Sequence, residues 1–165
     1  MSGAANGPLR VGAAERDITP QMGTQIAGSI GIKRPAEYAL DPIFAKALVL
    51  ESEGRKLCVL SLDLLAITND YSDRIRDEAG RLLGIPREAV MAHVTQNHAA
   101  PSLGHLMCDP ENDLYVGEWR WMRGGDDGYH EFAVERTLEA VKAADAAREP
   151  AVLGVDRGMD DRVAF

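Results

Sequence analysis

Polar side chains that could do chemistry follow two apolar segments of the sequence. Asp63 lies near the end of the first segment, and Gln96, Asn97 and His98 directly follow the second. An imidazole can act as a general base or a metal ligand because its unperturbed pKa is about 6.5. An aspartate beside it could orient the ring or hold a cation. These residues are therefore the candidates for a catalytic site.

Structural roles are open for the same residues. Asp63 could instead cap a helix or bond backbone amides, and His98 could be an ordinary turn residue. His98, His105 and Cys108 resemble a spaced metal-binding set, but their spacing matches no usual zinc arrangement. Ser102 could be a nucleophile, or its hydroxyl could cap the turn in which it lies.

Two further histidines are assigned structural roles. His93 is predicted to point from a strand into packing, and His130 is predicted to open a helix. The segment 108–130 holds both tryptophans and two tyrosines. Those aromatic rings could line the mouth of an apolar substrate site, form a satellite core or make a subunit contact.

The elements that must position these residues begin with strands. Alternating residues predict a strand in "LRVGAAERDITP", and a long loop is predicted over residues 21–42. Residues 44–52 and 56–67 predict a hairpin. The second hairpin strand is apolar enough that we expect it to be buried on both faces.

Helices alternate with strands in the rest of the chain. Residues 70–83 place apolar side chains on one helical face, and Gly84 follows as a terminator. A strand at 89–95 then completes a crossover between parallel strands. A second helix is predicted over about 129–147, and Pro150 introduces a further strand.

This alternation, in a chain of 165 residues, predicts one α/β domain over residues 1–165. We expect a mixed, mostly parallel sheet flanked by helices. Cys58 lies in a predicted buried strand and Cys108 in a polar loop, so no disulfide between them is expected.

The charge pattern limits the partners. The net charge is −8 and the 18 basic residues are scattered, which argues against nucleic acid as the main partner. No apolar run reaches the ~18 residues of a membrane helix. The start of the chain lacks the features of a secretory signal, so the cytoplasm is the default compartment.

Four sequence blocks follow one another along the chain: "VGAAERDITP", "DPIFAKALVLESEGRKLCVLSLDLLAI", "VTQNHAAPSLG" and "EAVKAADAAREPAVLGV". Together they resemble the N-terminal part of the neutral/alkaline non-lysosomal ceramidase family. The resemblance implies the catalytic-domain fold of that family, whose members are often secreted. They use one zinc ion to cleave the N-acyl bond of ceramide, giving sphingosine and a fatty acid. It thus implies a small-molecule lipid or another amide as the substrate.

The resemblance also implies roles for residues 95–98, which we call the polar loop. The family's Thr-His-Thr-His-Ser-Gly-Pro segment matches Thr95 to Pro101, so His98 stands where the second histidine faces the site. Gln96 stands where the first histidine binds zinc. A neutral amide oxygen is a poorer zinc ligand than an imidazole nitrogen, so the substitution argues against zinc at this position.

Two functions follow from these residues. The remaining family ligands and its serine belong to segments beyond residue 165, so we expect a fragment of a longer amidohydrolase that is inactive alone. The alternative is a non-catalytic ligand-binding module that has lost the zinc site. Gln96 and Asn97 motivate it, because paired amides suit a neutral polar ligand.

Overall fold

The regular elements of the chain follow the predicted order. The computed structural model describes residues 8–29, 31–107 and 116–159. Within them the strands are β1 (Arg10–Asp17), β2 (Phe44–Ser52), β3 (Arg55–Leu62), β4 (Val90–Val94) and β5 (Glu149–Pro150), and the helices are α1 (Asn69–Leu83) and α2 (Asp127–Ala146). Short 3₁₀ helices at Arg87–Ala89 and Gly117–Arg123 precede β4 and α2. No helix in these ranges is long and apolar enough to cross a membrane.

The sheet is mixed, with strand order β4-β3-β2-β1-β5. This confirms the α/β class and the mixed sheet. The expectation of mostly parallel pairing is wrong for the strands described, because β3 pairs with β4 in parallel, while β1 with β2, β2 with β3 and β1 with β5 are antiparallel. Parallel neighbours need a crossover connection, and within the described ranges only α1 provides one between paired strands.

The predicted hairpin is closed by a tight turn. Ser52 pairs with Arg55, and the two residues between them, Glu53 and Gly54, have φ of 53° and 74°. Positive φ at both central positions is typical of the type I′ turn, whose twist matches that of the flanking strands.

Both helices pack on one face of the sheet and share a single core with it. The core contains side chains from the strands and from both helices: Val49, Cys58, Leu60, Leu62, Ile75, Ala79, Ala133, Val134, Ala140 and Val141. Helix α2 lies directly against β1, because a Cβ on Gly12 would be 2.0 Å from the carbonyl oxygen of Ala144. The approach of the helix therefore requires glycine at that position.

Among the described residues no helix covers the opposite face of the sheet, which corrects two expectations. Strand β3 alternates instead of being buried on both faces, and Leu57 is 46% exposed. On the neighbouring strand Met91 is 53% exposed. His93 is also exposed on this strand, with Nδ1 3.3 Å from Ser61 Oγ, so its predicted position in packing is wrong. The cause is the same in each case, because the helices cover only one face.

The expected strand after Pro150 is largely absent. Strand β5 pairs only with Arg10 and Val11, and the residues from 151 to 159 have no regular structure. Antiparallel pairing carries the chain past Arg10, the first residue of β1, and among the described residues no strand continues that pairing. The last bond is from the N–H of Ala151 to the carbonyl of Leu9, at 2.9 Å.

The helix boundaries agree closely with the predicted ones. Gly84 ends α1 with φ of 68°, as expected for a left-handed C-terminal glycine. Helix α2 begins at Asp127, before the predicted start, because the side chain of Asp126 accepts the N–H of Tyr129. Cys108 and the first part of the aromatic segment 108–130 lie outside the described residues.

Candidate functional site

The polar loop after β4 is held beside the segment that follows β3. The N–H of Asn97 donates to Leu64, and the N–H of Leu65 donates to Pro101, each at 3.0 Å. The N–H of Leu103 donates to Ala66 at the same distance. The two segments thus extend the parallel pairing beyond the ends of β3 and β4, which is where ligands gather in open α/β sheets.

The predicted site residues in this loop face solvent or their own turn. Gln96 is exposed and has a left-handed φ of 57°. The side-chain oxygen of Asn97 accepts the N–H of Ala99 at 2.9 Å, which makes a local turn. His98 is exposed, and its carbonyl accepts a hydrogen bond from Arg34 Nη1 at 2.9 Å.

Asp63 makes its polar contacts with β2. Its Oδ2 accepts the N–H of Phe44 at 3.0 Å and lies 3.7 Å from Lys46 Nζ. This matches the alternative in which Asp63 bonds a backbone amide. Catalytic roles for Asp63, Asn97 and His98 stay predictions.

A cleft of about 610 Å³ opens beside the polar loop. Its walls come mainly from the predicted long loop, and Asn97 and Ala99 close one side. The cleft is lined by both apolar and charged side chains: Met22, Ile26, Lys33, Arg34, Glu37, Tyr38, Leu40, Asp41 and Ile43. Gln25 holds this loop in shape, because its side chain donates to the carbonyl of Ile32 and accepts the N–H of Arg34.

Within the described residues, the polar loop does not provide a set of side chains that could bind the zinc ion of the ceramidase family. The ligand-type side chains that converge in the described ranges are those of His105, Asp127 and His130. His98 is not part of that group, and Gln96 offers only an exposed amide. The residues present at this position therefore do not fit a zinc ion.

We call His105, Asp127 and His130 the histidine cluster. One ligand atom from each residue lies within 4.8 Å of the others. His105 Nε2 is 2.8 Å from Asp127 Oδ1, and the N–H of Gly104 donates to His130 Nε2 at 3.2 Å. The ring of His130 is fully buried and packs edge to face against Tyr71 and His105, with centroid distances of 4.9 and 5.2 Å.

The surroundings shift the pKa values of two cluster residues. Burial lowers the pKa of His130, and the neighbouring His105 lowers it further, against the opposing charges of Asp127 and other acids. Burial alone would raise the pKa of Asp127. The hydrogen bond and charge of His105, with help from Arg120, outweigh burial, so the pKa of Asp127 is lowered. The cluster therefore favours a neutral His130 beside an ionised Asp127.

The sequence suggested only part of this cluster. The sequence groups His105 with His98 and Cys108 and predicts for His130 only that it opens a helix, which is where it lies. The usable signal was the spacing of Asp127 and His130, because residues three apart share a helix face. Nothing in the sequence indicated that the loop bearing His105 folds back onto that face.

Ser102 and the aromatic segment take clearer positions. The buried Ser102 hydroxyl donates to the carbonyls of Gly104 and Gly124, at 3.1 and 2.8 Å, as in its structural alternative. Trp121 lines a second, smaller cleft of about 210 Å³, together with His105 and Asp127. One tryptophan thus borders a cleft, in line with one of the three alternatives for that segment.

The arrangement of sheet, crossover helix and polar loop is an α/β fold of the ceramidase type. It is similar to the crystal structure of neutral ceramidase from Pseudomonas aeruginosa, with 20% identity and a TM-score of 0.65. A ceramidase structure described as complexed with C2 gives 21% identity and a TM-score of 0.64. Each match covers 87% of this chain but 22% of the other.

At these identities the likeness shows the fold alone. It confirms the fold that the four sequence blocks implied. No protein-family model and no curated protein matches the sequence. The chain spans about one fifth of the length of the two structures, so their activity can enter only as a proposal.

Proposed function

We propose that this chain contributes the N-terminal part of a ceramidase-like hydrolase that cleaves the N-acyl bond of a lipid or another linear amide. The observation that carries the proposal is the polar loop 95–98, which stands beside a cleft in a fold shared with two ceramidases. Matched strand ends are where α/β enzymes place their reacting groups.

His98 is the proposed proton-transfer group. Its ring is exposed on the loop, and the bond from Arg34 to its carbonyl fixes the backbone without using either ring nitrogen. A neutral imidazole there takes a proton from the attacking water and returns it to the leaving amine. Asn97 borders the cleft. Asp63 anchors the segment that follows β3, because its carboxylate accepts the N–H of Phe44.

The cleft supports a substrate with an apolar chain. Met22, Ile26 and Leu40 line it, beside Asn97 at the end of the polar loop. An acyl chain on these side chains would bring its amide next to the loop, because apolar walls with a few polar groups orient ligands in this way.

A ligand-binding module is the second candidate function. It is favoured by Gln96, because an exposed amide stands where the family has a zinc-binding imidazole. An amide can donate and accept hydrogen bonds with a neutral ligand but gives no strong metal site.

The test uses the longest natural form of the protein and a fluorescent ceramide, with a short N-acyl amide as a second substrate. We expect turnover that falls by about 100-fold or more in His98→Ala, the usual range for losing a general base. His93→Ala is the matched control, because His93 is an exposed histidine on the open sheet face.

Three outcomes separate the candidates. Equal turnover in wild type and His98→Ala would remove His98 from the mechanism. Saturable binding of ceramide without turnover would favour the binding module. The chain of 165 residues assayed alone should show no turnover, because it spans about one fifth of the length of the two ceramidase structures.

A further inference from the structure

The histidine cluster brings together three side chains that can bind a metal, two imidazoles and one carboxylate, from two parts of the fold. Asp127 and His130 lie in the first turn of α2, and His105 comes from the loop after β4. Their ligand atoms lie within 4.8 Å of one another. This site differs in residues and position from the polar loop at Gln96.

Both imidazoles of the cluster keep a buried nitrogen without a partner. Within the described part of the chain, Nδ1 of His105 and Nδ1 of His130 are shielded from solvent and form no hydrogen bond. Most buried polar atoms in proteins are paired with protein groups, water or an ion. Each of the two adjacent rings therefore has unused capacity to bind a ligand.

Gly125 packs directly against one edge of the His130 ring and borders the smaller cleft. A Cβ on Gly125 would lie 2.7 Å from Nε2 and Cε1 of His130, so no side chain fits between the ring and the glycine. Gly125 lines the same cleft as His105 and Asp127. Gly125 thus separates the fully buried ring of His130 from the cleft by backbone alone, with no side chain over Nε2.

We propose that His105, Asp127 and His130 bind one divalent transition-metal ion of the zinc class. Two imidazoles and one carboxylate form the set that holds zinc with a fourth position open to water or substrate. Nitrogen-rich sites also favour cobalt, nickel and copper over magnesium or calcium. The proposal is independent of the hydrolase function, since it concerns binding alone.

Two existing contacts compete with the ion. The N–H of Gly104 occupies His130 Nε2 through a bond of 3.2 Å, which is at the long end of the usual range. Arg120 Nη2 lies 3.5 Å from Asp127 Oδ2, and Lys33 lines the same cleft. The ion must displace Arg120, whose side chain is 68% exposed and free to move into solvent.

The three ligand atoms need to move only a short distance to reach a common zinc ion. Ligand atoms around one zinc ion lie about 3–3.5 Å apart, given bonds of about 2.0–2.2 Å. The Asp127 side chain is 55% exposed and can move by the difference, whereas His130 is fixed in the core. Asp127 and His105 are already within hydrogen-bond distance, so metal binding replaces a proton between them.

The experiment titrates the chelator-treated chain of 165 residues with Zn²⁺ alone, in competition with a chromophoric chelator. Co²⁺ then reports the ligand geometry by its visible absorption. We expect one ion per chain, and affinity that falls by at least about 100-fold in Asp127→Asn and in His105→Gln. Both residues contact solvent, so these variants should fold, and circular dichroism checks that they do.

Control variants separate this site from the rest of the molecule. His93→Ala and His98→Ala each remove one exposed histidine and should bind Zn²⁺ as the wild type does. Arg120→Ala should bind roughly two- to fivefold more tightly, because it removes an exposed competitor of Asp127.

Several results would overturn the proposal. They are the absence of saturable one-to-one binding in the wild type, undiminished binding in both ligand variants, or loss of binding in His98→Ala. Amide cleavage is measured separately, so failure of the hydrolase proposal leaves this result unaffected.

Discussion

The molecule carries two histidine-bearing regions with opposite surroundings. The polar loop 95–98 presents His98 to solvent at the end of a strand, with its side chains turned outward or into a local turn. The histidine cluster encloses His130 completely and orders His105 against Asp127. Resemblance to a family points to the first region, whereas burial and converging ligands point to the second.

The difference shows how two kinds of site are built. The polar loop needs only a strand that ends at the right edge of the sheet, so it is contiguous in the sequence. The histidine cluster exists only when α2 packs on the sheet and the loop after β4 folds over its first turn. The second site therefore depends on the tertiary structure much more strongly than the first.

The largest expected contrast between the two regions is in stability. His130→Ala should lower the free energy of unfolding by about 2–4 kcal/mol, because it removes a buried ring and leaves the N–H of Gly104 without an acceptor. His98→Ala should change it by about 0.5 kcal/mol or less, as expected for an exposed side chain. Urea denaturation in the presence of a chelator measures both. Similar values for the two variants would contradict the comparison.

A comparison of two glycines with similar positive φ tests how tightly the region beside the histidine cluster is packed. Gly104 and Gly23 have nearly equal φ of 93° and 92°, but a Cβ on Gly104 would lie 1.9 Å from Thr68 Oγ1 while Gly23 has open space. Gly104→Ala should therefore cost about 1–3 kcal/mol more than Gly23→Ala, since overpacking adds to the shared strain. Thermal unfolding of the two variants provides the measurement. Equal costs would show that the region around Gly104 is looser than described.

The smallest expected effect is a pH dependence of stability. The pKa of His130 is lowered in the folded protein, first by burial and then by His105, so the unfolded chain binds its proton at a higher pH. The free energy of unfolding should thus fall as pH is lowered below about 6.5, by at most about 1.4 kcal/mol per unit, until the folded pKa is passed.

The control for this pH effect separates His130 from other groups. His130→Phe keeps a ring in the core but removes the titrating group, so its slope between pH 7 and pH 5 should be smaller. His98→Ala should keep the wild-type slope. A slope that is unchanged in His130→Phe would assign the effect elsewhere. The chelator stays in the buffer so that bound metal does not mask protonation.

Much of the fold could be predicted because its signals are local. The apolar spacing of residues 70–83, the glycine at position 84 and the turn at Glu53–Gly54 each act within a few residues. Which face of the sheet the helices cover was not predictable in this way. For this reason the sequence wrongly predicts burial of β3 on both faces and a packed position for His93.

The two candidate sites differ in the same way, because one has a local sequence signal and the other depends on tertiary contacts. The polar loop could be predicted from a polar run after an apolar segment and from the family resemblance. Asp63 shows the limit of that reasoning, because the strand end is where it was expected but its carboxylate bonds Phe44. The histidine cluster joins positions 105, 127 and 130, and the folding back of a loop has no signature in single-residue spacing.

The short pairing of β1 with β5 has a mechanical consequence. Arg10 is opposite Pro150 in the register, and Pro150 has no N–H to donate, so the pairing contains few hydrogen bonds. Side chains reinforce it, since Arg10 donates to the carbonyl of Arg148, which in turn pairs with Glu51 at 2.5 Å. The chain enters and leaves the sheet at one corner. A pulling force applied across that corner would load these few bonds one after another before it reached the core.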